Sequence, residues 1–295
     1  MLEQDEIIPS TYDKVFKAVW QDNRNKNLLA FFLSEFIKLS QKEIYDKITF
    51  VNTELPKENY KEKGMITDLL IGVPKILTNL EMNRKLDKGQ IKKSNNYAHK
   101  LVVEITKTNG KYEIVLQVNL DASLNFESEL STEYMMRSQD GKLCIDENYI
   151  IYHINMVKIV YKYYNNCKLT RFEKIIVMMC TRSIKVLEEL AEGDEELMTF
   201  KKTLEEIGKD NGIIGLYNED EMNELVYQTN LKESHEEGIR IGDQIGFERG
   251  DRQGFERGKE STTMKIAKSL LKYGMSVADI AKNTGLTQKQ VKELS

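Results

Sequence analysis

The chain has 295 residues, 40% of them hydrophobic, and a formal net charge of −4. That is enough apolar material for one large domain with accessories or two modest ones, and too little positive charge for indiscriminate nucleic-acid binding. Its longest apolar runs are broken by charge well short of the ~18–20 residues a membrane span needs, so no transmembrane helix or signal peptide is expected. Cys144, Cys167 and Cys180 are odd in number without CxxC spacing, and His99, His153 and His235 are scattered. These patterns argue against a disulfide framework, a zinc knuckle and an HExxH metalloprotease, and fit a reducing cytoplasm. No GxSxG elbow, Walker loop or strand-borne GxGxxG is present, so neither a serine hydrolase nor an organic nucleotide cofactor is indicated.

In chain order, Tyr12, Val15, Phe16, Val19 and Trp20 recur at helical spacing, with Ser10 or Thr11 placed to cap the first turn. A second stripe follows in Leu28, Leu29, Phe32, Leu33, Phe36 and Leu39, with Glu35 off the apolar face. ITFVNTEL alternates as a strand. Residues 61–85 then hold two short apolar strands flanking a Gly72-Val73-Pro74 break, each carrying one carboxylate that alternation does not require: Asp68 and Glu81. Period two puts Glu81 and Asn83 on one face and Met82 on the other, and a hairpin at the break brings Asp68 alongside. Two carboxylates held that close raise each other's pKa unless a cation sits between them, and a hard divalent ion with water ligands is the usual solution.

Charge is unevenly distributed. Arg84, Lys85, Lys88, Lys92, Lys93 and Lys100 face Asp87 alone, a local +5 directly after the carboxylate strand, where a phosphate backbone would be held. Residues 188–237 carry sixteen acids and four lysines, a local −12. SNNYAHKLVVEI is read as a helix ending before Asn109-Gly110, YEIVLQVNL as a strand, Asp140-Gly141 as a hairpin turn, and NYIIYHINMV as a further strand. From Arg171 the pattern becomes helical, with breaks expected at Gly193, Gly212 and Gly215. The first ~180 residues therefore predict a mixed α/β domain with one sheet.

Glycines at 238, 242, 246, 250, 254 and 258 recur every four residues. On a helix they would line a slowly winding stripe, but each helical Gly costs ~0.8–1 kcal/mol relative to Ala, so this stretch is either a helix with a partner or a flexible linker. In the tail, Ser276 and Thr287 cap two short helices around Asn283-Thr284-Gly285, a helix-turn-helix-like arrangement suited to DNA or to a protein.

YDKVFK, LLAFFLSEFI, the strand ending in NTEL, ITDLL, NLEMN, the glycine repeat and IAKNTGLTQKQVKEL together resemble the recombination-promoting, transposase-like branch of the PD-(D/E)XK nuclease superfamily. The resemblance implies a restriction-endonuclease-like core over residues 1–183, followed by an acidic helical region (184–237), the glycine repeat (238–260) and the helix-turn-helix-like tail (261–295). It implies a Mg²⁺- or Mn²⁺-dependent DNA endonuclease in which Asp68 and Glu81 bind the metal, Met82 lends its backbone carbonyl, and Asp13, or else Glu35, completes the site. Asn83 stands where the superfamily pattern has lysine and many members of this branch have Gln, and an amide brings no charge. Lys63, Lys85 and Lys17 are the candidate substitutes, with Lys85 favoured because it shares the face of Glu81 and Asn83. Lys17, Lys63, Arg84, Lys88, Lys92 and Lys93 are the candidate DNA contacts. Homo-oligomerisation is expected, and the alternative reading is a catalytically weak nuclease fold acting as a DNA-binding or assembly module.

Overall fold

The computed structural model describes residues 5–55, 65–84, 88–123 and 129–294, which fall into two compact units, Met1–Glu219 and Asp220–Ser295. In the first, α1 (Asp13–Gln21) buries Val15, Phe16, Val19 and Trp20, and carries Asp13 and Lys17 one turn apart on its other flank. Its N-cap is Tyr12 with no side-chain cap; Ser10, an expected cap, instead donates to the Met179 carbonyl. α2 (Lys26–Ser34) stops short of the predicted stripe, and Phe36 and Leu39 pack against the core from beyond it. A capping box between Ser40 and Glu43 then opens α3 (Gln41–Lys47), a helix the apolar pattern does not announce because only Ile44 is buried.

The predicted ITFVNTEL strand is two pieces, β1 (Thr49–Val51) and β2 (Glu54–Leu55), the latter paired with β3 (Met65–Ile66). β4 (Leu69–Val73) and β5 (Lys75–Asn83) form the expected antiparallel pair, closing so tightly that Val73 faces Ile76. Pro74 presets the turn and Lys75 takes a left-handed φ of 66°. Gly72 sits tightly here: a Cβ would press against the Tyr112 hydroxyl.

α4 (Lys88–Ile105) realises the predicted helix and extends it back through the basic run. β6 (Tyr112–Asp121) lies parallel to β5, and β7 (Ser131–Arg137) and β8 (Cys144–Asn155) form a hairpin in which the Gly141 N–H donates to the Ser138 carbonyl. The sheet order is β1-β4-β5-β6-β8-β7, with β5, β6 and β8 parallel. Four helices follow in this unit: α5 (Met156–Tyr164), α6 (Arg171–Cys180), α7 (Ile184–Ala191) and α8 (Glu195–Gly208).

Alternation along the central strands divides the core in two. Leu80, Met82, Leu116, Val118, Leu120 and Ile154 join the large cluster with residues of α1, α2, α5 and α6, whereas Leu77, Val115 and Tyr149 point to Ala98 and Leu101 of α4.

α9 (Asn211–Lys272) runs unbroken for 62 residues. Gly193 does end a helical stretch, at φ +76°, but Gly212 and Gly215 lie inside α9 and do not break it. The glycine repeat is likewise helical. α10 (Val277–Thr284) is capped by Ser276 and ends at left-handed Gly285, and α11 (Gln288–Lys292) opens with a Thr287–Gln290 capping box; Ala267, Ile280 and Val291 form their small core. Among the described residues no helix is long and apolar enough to cross a membrane.

Candidate metal centre

The register that pairs Leu69 with Leu80 places Asp68, one residue before β4, opposite Glu81. The pair is stitched together through the backbone: the Asp68 N–H donates to Glu81 Oε1 at 3.3 Å, and the Met82 N–H donates to Asp68 Oδ2 at 2.8 Å. Because the N–H and C=O of one strand residue point to the same edge, that second bond also fixes the Met82 carbonyl on the Asp68 side. The Asn79 amide donates to Glu81 Oε1 at 3.0 Å.

Glu81 is 3% exposed. Burial, then the neighbouring Asp68 charge, push its pKa up to about 8, against the Asn79 amide, the Asp68 N–H and Lys93. Burial, then the Asp13 charge, raise Asp68 to about 6, opposed by the Met82 N–H and Lys17. Two carboxylates raised in this way form a site that a divalent cation would stabilise. The donor set suits a hard ion: two carboxylates and a carbonyl, with the remaining positions open to water. Among the described residues no cluster of three or more His, Cys, Asp or Glu side chains is gathered for a metal.

Among the described residues, α1 delivers the one cation ion-paired to Asp68. Lys17 Nζ lies 3.0 Å from Asp13 Oδ1 and 3.4 Å from Asp68 Oδ1, so its ammonium bridges the two carboxylates. Burial pulls its pKa down, but the hydrogen bond to Asp13 and the charges of Asp68 and Asp13 more than offset this and hold it above the ordinary lysine value. Asp13 therefore joins the site beside Asp68, while Glu35 sits exposed at the C-cap of α2. Arg84 lies over the Tyr12 ring at 6.0 Å, and Lys93, over the Tyr97 ring at 5.3 Å, is close enough to act on Glu81. Lys92 is exposed on α4; Lys63 and Lys85 lie outside the described residues, and for Lys88 only the backbone is described.

Asn83 is 1% exposed, and its amide donates to Asp121 Oδ1 at 2.9 Å. It belongs to a buried polar layer that sequence reasoning missed. β5 contributes Asn79, Glu81 and Asn83, and β6 contributes Gln117, Asn119 and Asp121 opposite them. Asn79 donates to Gln117 at 2.8 Å, Ser94 of α4 donates to Asn119 at 2.6 Å, and His153 Nδ1 lies 2.8 Å from Asp121 Oδ2. The signal was the period-two row of amides and acids in LQVNLD. In a central parallel strand, such a row has to lie under something.

The model of one family, described as PD-(D/E)XK nuclease family transposase, matches residues 10–234 of the chain, which takes in α1, the whole six-stranded sheet and both carboxylates. Neither the curated proteins nor the solved structures contain a significant match.

Proposed function

The chain belongs to the PD-(D/E)XK nuclease family transposases, and from that premise we propose that it is a Mg²⁺- or Mn²⁺-dependent DNA endonuclease of the recombination-promoting type. The observation that carries the proposal is the backbone-stitched pair of Asp68 and Glu81 with the Met82 carbonyl on the same edge. A divalent ion bound there supplies Lewis acidity, lowering the pKa of a water and steadying charge on the phosphoryl oxygens.

The protein's own residues do the rest. Asp68, Glu81 and the Met82 carbonyl hold the ion. Lys17, charged and anchored by Asp13, supplies the positive group that the family pattern places at position 83, and donates to the scissile phosphate or the attacking water. Lys93, close enough to act on Glu81, together with the cations Arg84 and Lys92, is assigned to hold the adjoining phosphates. The Lys17 ammonium, held between Asp13 and Asp68, is the substitute we assign for the missing lysine; Lys85 lies outside the described residues.

A second reading, a catalytically weak DNA-binding or assembly module, draws on the commitment of Asn83 to Asp121. Supercoiled plasmid incubated with Mg²⁺ decides between them. The nuclease reading expects nicking that falls by ~10²-fold or more in Asp68→Ala and Glu81→Ala. Equal nicking by the parent and both variants would leave only the second reading.

A further inference from the structure

The sheet ends at β7, and no described strand lies beyond it. The Asn155 N–H donates to the Leu130 carbonyl at 3.0 Å, which marks Leu130 and Asn155 as a hydrogen-bonded pair. In the same register Thr132 faces His153 and Tyr134 faces Ile151, so the backbone groups of even residues point at β8. Those of Ser131, Glu133 and Met135 therefore point off the edge. The extra residues at the two register shifts, between Met135 and Met136 (Ile150 to Asp146) and between Met136 and Arg137 (Asp146 to Cys144), are on β8, so β7 itself runs on without insertion. Edges this long and regular are ordinarily shortened, capped or covered.

β7 reads Ser131-Thr132-Glu133-Tyr134-Met135-Met136-Arg137, and its outward side has a specific symmetry. Against an antiparallel copy of itself centred on Met135, Glu133, one of whose oxygens accepts from the Tyr152 hydroxyl of its own sheet, falls opposite Arg137 of the other copy, twice per pair. Tyr134 and Met136, 53% and 49% exposed, fall opposite each other on the reverse face. Met135 at the centre is one of the residues whose N–H and C=O point outward, as a directly bonded central pair requires. Centring on Glu133 would instead set two carboxylates face to face, and centring on Tyr134 would oppose Glu133 to Met135 with no countercharge.

We propose that β7 is a self-association surface. Its partner is a second copy of this chain, added antiparallel across a two-fold axis at Met135, so that two six-stranded sheets become one continuous sheet. The proposal is independent of the nuclease reading. A seven-residue edge is a small interface, so the dimer is expected in the micromolar range.

The test is sedimentation equilibrium of the full chain. Glu133→Arg and Arg137→Glu, each replacing two attractions with two repulsions, should each weaken dimerisation about tenfold, and the double swap should bring it back to within about threefold of the parent. Met135→Pro removes an outward N–H that β8 does not use, so it should abolish the dimer while thermal melting shows the fold retained. The proposal is overturned by a chain that stays monomeric at roughly 0.1 mM. It is equally overturned by self-association that none of these variants changes, or by a double swap weaker than either single reversal.

Discussion

β5 and β6 bury both of their faces, and beyond Leu77 and Val115, which pack apolar against α4, the two faces differ sharply. Toward α1, α2 and α5 they present Leu80, Met82, Leu116, Val118 and Leu120; toward α4 they present Asn79, Glu81, Asn83, Gln117, Asn119 and Asp121, none of them more than 5% exposed. The apolar face stabilises the fold by removing hydrocarbon from water. The polar face needs a hydrogen-bonded lattice merely to avoid a penalty, and it leaves Glu81 and Asp68 with pKa values well above normal. One pair of strands thus divides stability and chemistry between its two sides.

If that division holds, mutations one residue apart should act on different observables. Leu80→Ala, on the apolar face, should cost about 2–5 kcal/mol of stability by thermal or denaturant unfolding. A loss under 1 kcal/mol would mean that this face is not the one that holds the fold. Lys17→Ala should reduce nicking about 10²-fold with little change in melting temperature. Asn83→Lys should not restore it, because a lysine at that buried position would be captured by Asp121. Recovery in the double variant would return the catalytic cation to position 83.

Glu81→Gln should behave in the opposite sense to Leu80→Ala. A carboxyl whose folded pKa is raised contributes stability that is complete below its unfolded pKa, near 4.5, and is lost as pH rises through the folded value of about 8. Without divalent ions, the variant and parent should therefore melt together near pH 4. The variant should gain on the order of 5 kcal/mol, roughly 10–20 °C, at pH 8 and above. A parent that melts higher than the variant at pH 8 would show that Glu81 is not held under electrostatic strain.

The apolar face and the carboxylate pair were both legible in the sequence. Val15, Phe16, Val19 and Trp20 declare a helix face, and Asp68 and Glu81 stand out because each interrupts a strand that has no need of it. The rest of the polar face was not, for a physical reason. Alternating amides such as Gln117 and Asn119 look the same whether they face solvent or lie beneath a helix, and only the path of α4 across β6 reveals that they are buried. Lys17 illustrates a related limit: spacing puts it near Asp13, but its bridge to Asp68 depends on how α1 docks against the start of β4. Short α3 escaped notice because a capping box, and not an apolar stripe, defines it. For the glycine repeat, the sequence left helix and linker in balance; residues 238–258 are helical within α9.

The central claim is that Asp68 and Glu81 hold a divalent cation, and a calorimetric titration of the full chain with Mn²⁺ tests it without depending on DNA or turnover. The parent should show a saturable site, lost in Asp68→Asn and in Glu81→Gln. It should be retained or tightened in Lys17→Ala, which frees Asp68 from its ammonium partner. Binding of equal strength in the parent and both carboxylate variants would contradict the claim.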